Sequence, residues 1–192
     1  MTPPFLLLRE NFISQNFCEY CIEFFNLNSH LYYPGIAGDV VDSRYLIDTE
    51  LSLSFSKTSN PIVLKLLTYL TEAIEEYKKI NPCLNVIDSW KVYDTFQIQK
   101  YEPGECYFGE HCEHGSSSHR NDISNRIISW IIYLNDVNDG GGTEFTQYNY
   151  IIQPRQGNLV LFPAGWTHMH RGVISPTEEK YIMTGWYCYD HR

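Results

Sequence analysis

Long apolar runs are missing from this 192-residue chain. The stretch Phe5-Leu6-Leu7-Leu8 is too short for a membrane span or a signal-peptide core, and no basic residue precedes it, so neither membrane nor secretory path is expected. Positive charge is scarce as well: 14 Lys and Arg stand against 23 Asp and Glu, a net charge of -9, and no basic run exceeds two residues. Such a chain repels a phosphate backbone, which excludes nucleic acid as the expected partner. Cysteine is present at 18, 21, 83, 106, 112 and 188, but Cys18-x-x-Cys21 has no second Cys/His pair at zinc-finger spacing. Free thiols in a reducing cytoplasm are expected, with Cys18 and Cys21 packing in a core. Internal repeats, low-complexity tracts and linkers are absent, so residues 1–192 are expected to form a single domain.

What the chain does have is aromatic rings, 15 Tyr, 10 Phe and 4 Trp, which suit half-buried sheet faces where a ring packs and a hydroxyl finds a partner. Phe17, Cys21, Phe24 and Phe25 recur at helical spacing, predicting a helix from Ser14 to Phe25 with Ser14 as N-cap. A second and clearer helix is predicted over 59–80. Ser59 or Asn60 caps it, Pro61 sits in its first turn, Ile62, Leu66, Leu67, Leu70, Ile74 and Tyr77 form its stripe, and Asn81-Pro82 ends it. A short strand is read at Phe5–Leu8, and Ser29 to Asp48 reads as an irregular or hairpin connection.

From Ser89 onward the period changes to two. Phe96 and Ile98 alternate with Gln97, Gln99 and Tyr101; in Arg126 to Leu134, Trp130, Ile132 and Leu134 oppose Ser129, Ile131 and Tyr133. Further strands are read at Thr143–Phe145, Tyr148–Ile152, Asn158–Phe162 and Lys180–Tyr189. Short strands at regular spacing after a helical start predict a mainly β fold with supporting α-helices and a double-stranded β-helix (jelly-roll, cupin-like) core, residues 1–88 giving helical support and 89–190 the core.

Within this pattern His111 and Glu113 form a His-x-Glu pair whose side chains share a face of an extended segment, with Cys112 on the other. A third donor from His168 or His170 would complete two imidazoles and one carboxylate around an octahedral metal, leaving three positions open. Taken alone the pair is weak, because histidines at strand ends are commonly hydrogen-bonded surface groups and His114 and His119 crowd the same region. Its company strengthens it. Alternation puts Lys180, Ile182, Thr184 and Trp186 on one strand face, and a buried lysine requires an anionic partner. An open metal beside an ammonium suits a small dicarboxylate that chelates at one end and pairs with charge at the other, whereas a lysine on a solvated edge strand would need no such ligand.

Tyr101-x-x-Gly104, His111-x-Glu113, Arg126, Tyr133-Leu134-Asn135-Asp136, the Gly-Gly-Thr-Glu-Phe of 141–145, His170, Lys180 and Trp186 occur in an order that resembles the prolyl 4-hydroxylase-like branch of the iron(II)/2-oxoglutarate dioxygenases. The resemblance covers 97–187, about half the chain. It implies His111, Glu113 and His170 as iron(II) ligands and Lys180 on the distal carboxylate of 2-oxoglutarate. Tyr133 and Tyr101 would donate hydrogen bonds in that pocket, with Thr184 and Trp186 lining it. The ten-residue step from His170 to Lys180 matches the family, which leaves His168 beside the ligands or on the substrate side. The family's commoner carboxylate is aspartate, so Glu113 departs from its pattern. The implied activity is hydroxylation of a prolyl residue in a protein or peptide, consuming O2 and 2-oxoglutarate, with ascorbate as an accessory. The same chemistry on a free amino acid or small metabolite, and a metal-holding cupin-type module without oxidation, are the alternatives. Nucleic-acid demethylation is disfavoured by charge. The polar segment 114–125 is placed to cover a substrate, or to be a solvated linker.

Overall fold

The computed structural model describes residues 2–35, 43, 46–57, 59–115 and 123–190. In chain order these form β1 (Leu7–Arg9), α1 (Gln15–Leu27), β2 (Tyr33–Pro34), β3 (Thr49–Ser54), α2 (Pro61–Ile80), β4 (Trp90–Val92), β5 (Thr95–Tyr101), β6 (Arg126–Tyr133), β7 (Thr143–Phe145), β8 (Tyr150–Ile152), β9 (Leu159–Pro163), β10 (His170–Gly172) and β11 (Lys180–Tyr189), with single 3-10 turns between some of them. A large antiparallel sheet runs β1-β9-β6-β11-β5-β3-β2, with β4 also paired to β11, and a small sheet runs β10-β7-β8. Two antiparallel sheets with helices packed outside are the jelly-roll arrangement expected.

Alternation decides what each face of the large sheet meets. Phe96, Ile98, Trp130, Ile132, Tyr181, Met183 and Tyr187 turn to one side and pack with Phe17, Cys21 and Phe25 of α1 and Leu66, Leu70 and Ile74 of α2. Each such apolar side chain taken fully out of water contributes roughly 1.5–3 kcal/mol before entropy is charged against it. On the opposite side Ile131, Tyr133, Val160, Phe162 and Ile182 pack with Phe145 and Ile152 of the small sheet. The helices therefore seal one face, and the other is left for a cavity between the sheets. Gly185 makes the first packing possible: a Cβ there would come 2.5 Å from Trp130 Cζ2, so only hydrogen fits above the indole.

Helix α2 is capped as its sequence suggests. The Asn60 side chain accepts from the Ile62 N–H at 2.9 Å, Pro61 occupies the first turn, and Asn81 Nδ2 donates to the Tyr77 carbonyl at 3.1 Å where the helix stops. Ser14 precedes α1 in extended conformation, but its side chain makes no cap bond and its hydroxyl accepts from Tyr69 at 3.1 Å.

Several expectations give way to tertiary pairing. Phe5 is not in a strand; it is an exposed turn residue with φ 62°, and β1 begins at Leu7, where β9 offers a partner. Residues 146–148 form a 3-10 turn and Asn149 is left-handed at φ 49°, so β8 starts only at Tyr150. Residues 1–88 are more than helical support, because β1 forms one edge of the large sheet and β3 with β2 the other. Strand β3, Thr-Glu-Leu-Ser-Leu-Ser, alternates in the same way, with Leu51 in the helix-side core and Glu50 and Ser52 on the cavity wall. Within Ser29 to Asp48, β2 pairs with β3, while 36–42, 44 and 45 lie outside the described residues, as do 116–122 of the expected covering segment. Among the described residues no helix is long and apolar enough to cross a membrane.

Candidate active site

His111 and His170 are joined through their backbones. They form an isolated antiparallel bridge in which the His111 N–H donates to the His170 carbonyl at 3.0 Å and the His170 N–H to the His111 carbonyl at 2.8 Å. Side chains of directly opposed residues leave the same face, and the two ring centroids lie 4.3 Å apart. The His111 Nδ1 sits 2.9 Å from the Gly109 carbonyl and the His170 Nδ1 2.9 Å from the His168 carbonyl. A carbonyl can only accept, so each Nδ1 carries the proton and each Nε2 presents a lone pair. Glu113 Oε1 lies 3.4 Å from His170 Nε2 and 3.9 Å from His111 Nε2. One donor atom from each of the three residues falls within 4.8 Å of the others. Two pinned imidazoles and one carboxylate suit a divalent transition metal, and this set with open positions is that of non-haem iron(II) oxygenases.

The electrostatics agree with that chemistry. Burial, helped by the neighbouring His170, pushes His111 down to about 4 against the pull of Glu113, so the ring is neutral near pH 7. Burial of Glu113 favours its protonated form, but the two adjoining imidazoles and the Arg126 guanidinium outweigh it and hold the carboxyl well below the usual carboxylate range. The other oxygen, Oε2, accepts from Trp186 Nε1 at 2.9 Å and from Arg126 Nη1 at 3.3 Å.

These groups line a cavity of about 610 Å³ whose far wall carries Lys180. Lys180 is 5% exposed; its Nζ donates to the Gly141 carbonyl at 3.0 Å and lies 4.3 Å from the centre of the Tyr101 ring. Among the described residues no carboxylate lies within ion-pair distance of it. Burial pushes the ammonium down to about 8, against the attraction of Cys106 and Asp48. A buried cation held by a carbonyl and a ring face suits an incoming carboxylate.

The other expected site residues fall into two groups. Tyr101 and Thr184 line the cavity; the Tyr101 hydroxyl donates to Gln99 Oε1 at 3.0 Å and the Thr184 hydroxyl to the Trp130 carbonyl at 2.9 Å. Tyr133 does not line it: its fully buried hydroxyl donates to Thr143 Oγ1 at 2.7 Å, and Thr143 is the residue on the wall. His168 does not line it either. The segment is a 3-10 turn rather than a strand, so its ring turns away, packs by Phe145 and Phe162, and places Nε2 2.8 Å from the Pro4 carbonyl. It serves the site by its backbone carbonyl, which fixes His170. Cys112 corrects another expectation: the chain at 111–113 is no continuous strand, and the thiol, bonded to the His114 carbonyl at 3.0 Å, joins the cavity rim. Trp186 lines the cavity as expected but also grips Glu113. Arg126 was legible only as a matching position, and its contact with Glu113 has no signal in the sequence.

Comparison with known proteins is consistent with this geometry. A family model described as the 2OG-Fe(II) oxygenase superfamily matches residues 96–188. Prolyl 4-hydroxylase 13 of Arabidopsis thaliana is 28% identical over 116 residues, 49% of this chain and 42% of its own length. The prolyl 4-hydroxylase subunit alpha-1 of Gallus gallus is 30% identical over 69 residues, covering 32% of this chain and 13% of its own. The chain thus spans less than half the length of these relatives. Among solved structures, a viral collagen prolyl hydroxylase from Paramecium Bursaria Chlorella virus-1, in complex with 2OG, superposes with a TM-score of 0.71 at 18% identity, covering 97% of both chains. A Trichoplax adhaerens prolyl hydroxylase in complex with a hypoxia inducible factor oxygen degradation domain peptide fragment gives 0.69 at 15%, covering 95% of this chain and 83% of its own. Through residues 96–188 the chain is similar to the 2OG-Fe(II) oxygenase superfamily. Within that class the sequence relatives it matches are prolyl 4-hydroxylases, and the fold is shared with solved prolyl hydroxylases.

Proposed function

We propose that this protein is an iron(II)- and 2-oxoglutarate-dependent hydroxylase that acts on a prolyl residue in a protein or peptide. The observation that carries the reading is the convergence of His111 Nε2, His170 Nε2 and Glu113 Oε1 in one cavity with the buried ammonium of Lys180, which among the described residues has no carboxylate in ion-pair range. His111, Glu113 and His170 hold the metal; Lys180 takes the distal carboxylate of the cosubstrate. When bound, iron(II) supplies the redox chemistry that couples decarboxylation of 2-oxoglutarate to succinate with hydroxylation of the substrate by O2.

The chain's own tasks are positional. The Gly109 and His168 carbonyls keep both imidazoles in the tautomer that donates from Nε2. The Tyr101 ring and the Gly141 carbonyl hold the Lys180 ammonium in place before any ligand arrives, so a carboxylate meets a preformed charge. Apolar walls from Ile131 and Ile182 keep water from competing for it. The prolyl substrate is inferred from the named relatives and neighbours. The net charge of -9 supports a neutral or cationic protein or peptide over nucleic acid. Six free thiols support a reducing, cytoplasmic setting.

The test is anaerobic addition of ferrous ion and 2-oxoglutarate, watched for the visible charge-transfer band of a chelated keto acid. A folded protein that shows no band overturns the reading. Succinate release is then compared across proline-containing peptides and free metabolites, with and without ascorbate. Release driven by metabolites alone replaces the peptide substrate with a small molecule. Metal uptake with neither band nor succinate leaves a non-catalytic module.

A further inference from the structure

Glu113 departs from the family's commoner aspartate, and its surroundings explain how the longer side chain is managed. We propose that Trp186 and Arg126 are positioning residues that tether Glu113 Oε2, so that glutamate donates to the metal through Oε1 alone and aspartate cannot replace it. The inference rests on the metal-site reading above.

A carboxylate on a flexible stem can offer a metal one oxygen or two. Two-oxygen binding by Glu113 would occupy a coordination position that a three-residue facial site must keep open. Here the second oxygen is engaged elsewhere: the Trp186 indole N–H reaches it at 2.9 Å and Arg126 Nη1 at 3.3 Å. Arg126 also donates to the Glu113 backbone carbonyl at 3.5 Å, and its guanidinium carbon lies 3.5 Å from the centre of the Trp186 ring. Each of the three side chains thus restrains the other two, and Oε1 is left facing both Nε2 atoms.

The fold builds this contact with a strand irregularity. From Ile182 to Tyr187 the β6 and β11 partners fall back one for one, Trp186 facing Ser129 and Tyr187 facing Ile128, but Cys188 pairs with Arg126 rather than with residue 127. The bulge breaks the alternation of β6. Ile127 joins the helix-side core, and Arg126 is re-aimed onto the Trp186 side of the sheet. An aspartate at 113, one methylene shorter, cannot span both the two imidazoles and this pair of donors.

The test is a double-mutant cycle on Mn(II) affinity in the intact chain, using wild type, E113D, W186F and E113D/W186F. We expect W186F and E113D each to weaken Mn(II) about tenfold or more, as loss of an outer hydrogen bond to a ligand does. The double variant should stay within about twofold of E113D, because the tether is already lost. Additive losses, or a W186F affinity within twofold of wild type, overturn the tether while Mn(II) binding by wild type leaves the metal site standing. No Mn(II) binding by wild type overturns both. A second measurement does not depend on how W186F folds. In ¹⁵N-indole spectra the Trp186 resonance is the one most strongly broadened by Mn(II), and it should move in metal-free E113Q; that most-broadened signal unmoved by E113Q overturns the tether.

Discussion

Replacing Lys180 by methionine should make the protein more stable and less able to bind its cosubstrate. The lysine is 5% exposed, with no carboxylate in ion-pair range among the described residues, and its ammonium has been pushed from the usual 10.5 to about 8. At about 1.4 kcal/mol per tenfold change in proton affinity, that drop means the charged form costs the folded protein about 3 kcal/mol below pH 8. The sign follows from proton counting. Between pH 8 and 10.5 the unfolded chain binds more protons at this site than the folded one, so stability rises with pH through that window and the penalty is complete below it. Methionine fills nearly the same space without the charge. Allowing for the lost Gly141 bond and Tyr101 ring contact, Lys180→Met should gain about 1–3 kcal/mol, a Tm several degrees higher for a chain of this size. Titration of 2-oxoglutarate into the anaerobic ferrous protein should show the opposite: loss of a buried charge-assisted contact weakens binding about 100-fold. Wild-type affinity should also fall as pH rises above about 8, where the free ammonium deprotonates, while the variant shows no such slope. A variant that melts lower than wild type without ligand, or that binds 2-oxoglutarate within threefold of wild type, would refute the reasoning.

His111→Ala and His170→Ala should each abolish the charge-transfer band and turnover while circular dichroism stays native, because each removes one of three donor atoms. His168→Ala should keep metal binding yet lower stability by about 2–4 kcal/mol in chemical denaturation, since a 1% exposed ring packed by Phe162 and bonded to Pro4 is lost; loss of metal binding instead would reverse the roles given to the two histidines. Gly185→Ala should cost about 1–3 kcal/mol by forcing a methyl onto Trp130, with a wild-type denaturation curve counting against it. Without metal, His111 should contribute acid sensitivity: its folded value near 4 lies below the ordinary 6.5, so stability falls as pH drops from about 6.5 to 4, and His111→Gln should flatten that part of the profile.

The sequence by itself determined the local periods. Even residues of β11 face the cavity and odd ones the helices, odd residues of β5 face the cavity and even ones the helices, and the stripe of α2 is buried, because strand and helix geometry send side chains out at intervals that the order of residues along one segment can meet. It also contained the donor types a metal needs, at spacings a strand end can use. Tertiary structure decided the rest. Nothing between residues 111 and 170 announces that their backbones will pair, nor that a turn will send the His168 ring to Pro4 while its carbonyl holds His170. The Tyr133 hydroxyl went to Thr143, and a single extra residue in β6 turned Arg126 toward Glu113. These are contacts between segments far apart in the chain. Their geometry depends on strand register and bulges, which arise only when both partners are in place, whereas the alternation of a single strand is a property of its own backbone.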